Sequence, residues 1–120
     1  MTFRTKAEGG EQALSHKEYL AFLRLILDTD CADLLDIEFF TAGADLPALI
    51  EQAHSAGVAV VCSSHDFAKT PPRAELVSRM VQMQQAGADL PKLAVMPRCR
   101  SDVLELLAAT AEMADHHPET

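Results

Sequence analysis

A parallel α/β fold follows from two features of this 120-residue sequence. Short β-like apolar runs alternate with longer amphipathic helical runs four times over, and no low-complexity linker interrupts the series. The repeat is about 30 residues per strand–helix unit, the size of the units of a TIM barrel, where ~250 residues make eight. Four units are half a barrel. The fold class expected is therefore α/β, a partial TIM (β/α)8 barrel of about four consecutive units in a single domain over residues 1–120.

The first strand is expected at Thr2 to Thr5. A Ser-x-x-Glu capping box, Ser15 and Glu18, then precedes Tyr19, Leu20, Leu23, Ile26 and Leu27 at helical spacing. The second strand is expected at Leu34 to Phe39. Its helix runs from Asp45 as N-cap to Ala56, with Pro47 tolerated in the first turn and Gly57 just past the end. Val58 to Ser63 reads as the third strand. The helix after it starts near Thr70 and Pro71, carries Leu76, Val77, Met80, Val81 and Met83, and stops at Gly87. Lys92 to Met96, bounded by Pro91 and Pro97, reads as a fourth, buried strand, and Val103, Leu104, Leu107, Ala111 and Ala114 form the last helix before Pro118. Met1 falls at the start of a strand and Thr120 where a fifth should begin, so the expectation is a segment of a larger barrel.

Because strand side chains alternate between faces, each strand sorts into two sets. Leu35, Ile37, Val60, Cys62, Leu93 and Val95 make one greasy face, which in a barrel meets the helices. The opposite face collects Arg4, Asp36, Glu38, His65 and Lys92. Catalytic groups gather on that side, toward the C-terminal strand ends. A lysine inside a core is disfavoured as ammonium and can act as a neutral nucleophile toward a carbonyl. Taken singly, a lysine at a strand start is more often a solvated edge residue, and a histidine after a strand more often a loop hydrogen-bonder. Their recurrence in register with the units argues for a shared site.

Composition narrows the alternatives. With 48% hydrophobic and 23% charged residues the chain reads as a soluble globular domain. Acidic residues number 18 against 10 basic, a net charge of -8, and no Lys/Arg cluster could neutralise a phosphate backbone. No nucleic-acid partner is expected. Cys31, Cys62 and Cys99 have neither CxxC nor zinc-ligand spacing and read as reduced thiols of a cytoplasmic protein, with no metal and no cofactor expected. No secretory signal and no apolar run near the ~20 residues of a membrane span is apparent, so no membrane partner is expected either.

Four ordered segments carry a family resemblance. Thr2 to Gly10 (TFRTKAEGG), Asp36 to Phe39, Val60 to Phe67 (VVCSSHDF) and Pro91 to Pro97 (PKLAVMP) resemble the motifs of type I 3-dehydroquinate dehydratase, an enzyme of the shikimate pathway that supplies aromatic amino acids. The resemblance spans the chain and places it at roughly strands three to six. It implies that Lys92 forms a Schiff base with the ketone of 3-dehydroquinate, that His65 is the general acid/base, and that Glu8 orients it. It implies that Arg4 binds substrate oxygens; Asp36 and Glu38 are read as lumen hydrogen-bonding and charge balance. Ser64 and Phe39 depart from the usual family residues. Ser64 should point away from His65 and alter packing rather than chemistry.

The resemblance further implies that two strands on either side of this segment, with their substrate-binding residues, lie outside these 120 residues. A half barrel has unpaired sheet edges, so poor stability alone, homo-oligomer formation or association through those edges is expected, with weak activity or none for the segment by itself. A non-catalytic half-barrel remnant and another Schiff-base lyase or aldolase are the competing readings. A flavodoxin-like binding module lacks the glycine-rich phosphate loop it would need.

Overall fold

A computed structural model describes residues 1–118; the fifth strand anticipated at Thr120 lies outside them. Three strands, β1 (Leu34–Glu38), β2 (Ala59–Asp66) and β3 (Leu90–Val95), form a parallel sheet in the order β1-β2-β3. The helices are α1 (His16–Asp28), a single turn α2 (Phe39–Ala42), α3 (Leu46–Ser55), α4 (Arg73–Gln85) and α5 (Arg100–His116), with a 3-10 turn at Lys6–Glu8. This is the expected strand–helix alternation.

The first expected strand is the main departure. Residues 2–5 are not a regular strand: Met1 alone bonds the β1 backbone, its ammonium donating to Leu34 O and its carbonyl accepting from Asp36 N at 2.9 Å. Farther on, side chains replace the ladder. Glu38 N donates to the Tyr19 hydroxyl at 2.9 Å, and Thr5 N donates to the Glu38 carboxylate at 2.8 Å. The first edge of the sheet is therefore closed by the Met1 backbone at one end and the Tyr19 hydroxyl at the other, rather than by a regular fourth strand.

Boundaries shift for local reasons. β2 runs three residues past Ser63 and carries His65 inside the strand, and β3 starts two residues before Lys92. Asp45 stands at the α3 N-cap but makes no capping bond: its backbone is already helical, at φ -82° and ψ -8°, at the end of a 3-10 turn over Gly43–Asp45, and its carboxylate meets His16 Nε2 at 2.8 Å. α4 begins at Arg73 rather than near Thr70: Pro72 holds the residue before it out of helical geometry and is itself extended, at ψ 149°. α1 is as expected, with both halves of its capping box formed and Tyr19, Leu20, Leu23, Ile26 and Leu27 buried.

Two apolar cores result. The larger joins α1, α3, β1 and β2 through Tyr19, Leu23, Leu35, Ile37, Leu49 and Val60, all fully buried. The smaller holds Leu76, Met80, Ala109 and Met113 between α4 and α5. Around it Leu90, Met96, Val103, Leu104 and Leu107 stay exposed. Among the described residues no helix is long and apolar enough to cross a membrane.

Candidate active site

The greasy and polar faces of the sheet fall as the alternation predicts. In register, Glu38 lies beside Ser63, and Ser63 beside Lys92, so the polar face reads across all three strands. Cys62 and Ser64 are buried on the other face. Burial, with the Asp36 and Glu8 carboxylates nearby, pushes the Cys62 thiol up to about 12, so it is a packing group and not a nucleophile.

Arg4 is the centre of the polar face. Its Nη2 donates to Asp36 at 2.7 Å, and its Nη1 donates to Ser63 Oγ at 2.9 Å and to Glu38 at 3.2 Å. Ser63 in turn donates to Asp36 at 2.5 Å. Glu38, fully buried, also accepts from the Thr5 and Thr41 hydroxyls at 2.7 Å each. Every buried side-chain polar atom among the described residues has a partner. Such a network is rigid because each member is satisfied, and charge-assisted bonds are the stronger kind.

Glu8 and His65 meet at the C-terminal end of this face. Glu8 closes the 3-10 turn and is 5% exposed, which excludes the ordinary solvated loop. Its Oε2 lies 2.8 Å from His65 Nδ1 and 3.8 Å from Arg4 Nη1. Desolvation holds the Glu8 carboxyl above its usual range, against the lowering effect of the His65 bond, and the Glu38 charge adds to the rise. With the carboxylate accepting, the Nδ1 of His65 carries the proton and Nε2 is left for other chemistry. An open cleft of about 400 Å³ lies there, lined by Ala7, Glu8, Phe40, Thr41 and His65.

The two glycines after Glu8 are not slack. A Cβ on Gly10 would lie 1.8 Å from the Arg4 carbonyl oxygen, and Gly10 N donates to Thr5 O at 2.8 Å. Close backbone approach, not flexibility, requires glycine there.

Lys92 departs from expectation. It is on the predicted face, beside Ser63 and two residues below the level of His65, but it is exposed and makes no hydrogen bond or ion pair among the described residues. β3 is the outer strand of the sheet. Lys92 lines a second cleft of about 210 Å³ with Met1, Thr2, Leu34, Asp36 and Val61. Arg4, Glu8 and His65 are thus brought together; Lys92 is next to them and unjoined. Thr5, Thr41 and Tyr19 are parts of the network that the sequence reading missed. Tyr19 is indistinguishable from a core residue in a helical stripe until Glu38 N is found on its hydroxyl. No group of three or more metal-ligating side chains occurs among the described residues.

Comparison with known proteins identifies the family of the chain. The family described as type I 3-dehydroquinase matches residues 1–120. The 3-dehydroquinate dehydratase of Salmonella agona (strain SL483) is 47% identical over 118 residues, which are 98% of this chain and 47% of that protein. Among solved structures, a type I 3-dehydroquinate dehydratase from Clostridium difficile carrying covalently modified comenic acid superposes with a TM-score of 0.93 at 44% identity, over 98% of this chain and 47% of that one. The enzyme from Enterococcus faecalis gives 0.90 at 46% identity, over 95% and 48%. The chain spans about half the length of the relatives it matches.

Proposed function

Because the chain belongs to the type I 3-dehydroquinase family, we propose that it contributes the reacting half of a Schiff-base dehydratase acting on 3-dehydroquinate in the cytoplasm. The observation that carries this is the 2.8 Å contact of His65 Nδ1 with the buried Glu8 carboxylate, on the sheet face that also bears Lys92. An oriented imidazole with a free Nε2 is a general acid/base; a primary amine on the same face is a nucleophile for a ketone.

The steps balance without a cofactor. The Lys92 amine adds to the C3 carbonyl, and loss of water gives the protonated imine. The imine accepts electron density, so His65 can take the C2 proton as an enamine forms. The enamine electrons then expel the C1 hydroxyl, which leaves as water with the proton from His65. Hydrolysis of the imine returns the amine and 3-dehydroshikimate. Glu8 holds the imidazole and stabilises its charged form during the step. Arg4 is largely committed to Asp36, Glu38 and Ser63, so its part is to fix the polar floor, with Nε left to meet a substrate oxygen. Covering of Lys92 comes from protein packed against β3, and the open β3 edge and exposed α5 face are where such association, including with a second copy, takes place.

Borohydride reduction in the presence of 3-dehydroquinate, followed by mass mapping, tests this. One adduct on Lys92, lost in Lys92→Ala, is expected; a folded sample that gives none overturns the claim for this chain. The exposure of Lys92 favours the second reading, a folded half barrel without activity, and the same experiment separates the two.

A further inference from the structure

Phe67 stands out among the exposed aromatic residues, because it is 57% exposed and yet its place is fixed. Its ring lies nearly parallel to the His65 imidazole, at 13° with centroids 6.3 Å apart. The tip of the same ring occupies the space a side chain on Gly9 would need: a Cβ there would sit 2.3 Å from Phe67 Cζ. Gly9 has a φ of +92°, in the left-handed region, and directly follows Glu8.

The loop carrying the ring is pinned as well. Asp66 Oδ1 accepts from Ala68 N at 2.9 Å and Lys69 N at 3.0 Å, and Arg98 Nε donates to Ala68 O at 3.1 Å. Two partners of one hydrogen bond, Glu8 and His65, are thereby touched by a single ring from outside: one through the backbone beside it, the other through its face.

We propose that Phe67 is a positioning residue, a bracket that holds the Glu8–Gly9 turn and the His65 imidazole in one geometry, with Gly9 as the socket that admits it. The inference rests on the role given to the Glu8–His65 pair above. The ring restrains the imidazole plane and blocks the turn from lifting. Offset-parallel aromatic pairs at such distances have a real orientational preference.

The test uses the full chain labelled with 15N-histidine. In the parent, His65 is expected as one Nδ1–H tautomer with a slowly exchanging proton. Phe67→Ala should mix the tautomers and speed that exchange by roughly threefold to tenfold, the range a lost aromatic contact allows. Gly9→Ala, which drives the ring tip out and strains the turn at φ +92°, should reproduce the change, and so should Phe67→Leu, which keeps apolar bulk but not the flat ring face. A Phe67→Ala protein with unchanged circular dichroism, one tautomer and the parent exchange rate overturns the proposal, as does a Phe67→Leu protein that keeps the parent signature. Should Phe67→Ala not fold, the Phe67→Leu spectrum decides alone. None of these spectra depends on turnover, so failure of the borohydride trap and failure of the bracket are separate results.

Discussion

The two cores of this molecule are built from the same kind of unit and are finished to different degrees. Around β1 and β2, helices α1 and α3 press fully buried Tyr19, Leu23, Leu49 and Ala53 onto Leu35, Ile37, Val60 and Cys62. Around β3, α5 presents Ala109 and Met113 inward but leaves Val103, Leu104 and Leu107 exposed. A helix on a parallel sheet is covered by neighbours on both flanks, and α5 has a described neighbour on one only. The candidate site divides along the same line. His65 and Glu8 are set by contacts inside the finished part; Lys92 sits on the unfinished part, where what surrounds it decides its chemistry.

Five measurements sharpen or break this contrast. The largest effect is expected from Glu38→Ala, which strips Arg4, Thr5 and Thr41 of a shared buried acceptor. Breaking a buried charged network from one side costs about 3–5 kcal/mol, read by urea unfolding; a cost below about 1 kcal/mol, the value of an exposed pair, would mean the network is not closed in solution. Leu49→Ala should cost about 2–5 kcal/mol as a core cavity. Leu104→Ala, on the open face of α5, should stay within about 0.5 kcal/mol. Equal losses for Leu49 and Leu104 would show that α5 is covered and the contrast false.

Acid should loosen the open part first. Asp89 ties β3's approach to β2: its carboxylate accepts from Val60 N at 2.7 Å and from His54, and these bonds hold it below its usual 3.8. A lowered carboxyl adds stability above 3.8 that is lost as pH falls through its folded value, so amide exchange in β3 should rise there before it rises in α1. Simultaneous rise in both would break the comparison. The smallest effect belongs to His16, raised above 6.5 by Asp45 first and by the Thr41 carbonyl second. Its sign is opposite: the contribution is complete below 6.5 and fades as pH climbs through the folded value. His16 is exposed, so His16→Gln should remove a shallow, salt-sensitive slope above 6.5 and little else.

Helices were the readable part of the sequence, because each carries a stripe and a terminus that depend on few residues, as Ser15 and Glu18 do for α1. The sheet faces were readable too, since alternation needs no partner. Residues 2–5 were misread as a strand because pairing is a property of two chains, and the local pattern cannot show that Tyr19 and Glu38 side chains take the backbone's place. Lys92 shows the same limit from the other side: its register is local and was legible, whereas burial depends on whatever lies across β3. The Arg4 network falls between. Its members were visible as one polar face, but the bonds that commit Arg4 to Asp36, Glu38 and Ser63 were not.

Closure of the first edge by Tyr19 and Glu38 also bears on how many chains can join. Head-to-tail addition of one sheet to the next requires a regular edge at each end, and that geometry propagates without limit into fibres. Among the described residues only β3 offers such an edge. Two copies meeting β3 to β3 would use up both free edges at once. Tyr19, by holding Glu38 N, leaves no second regular edge among the described residues for a further copy to extend.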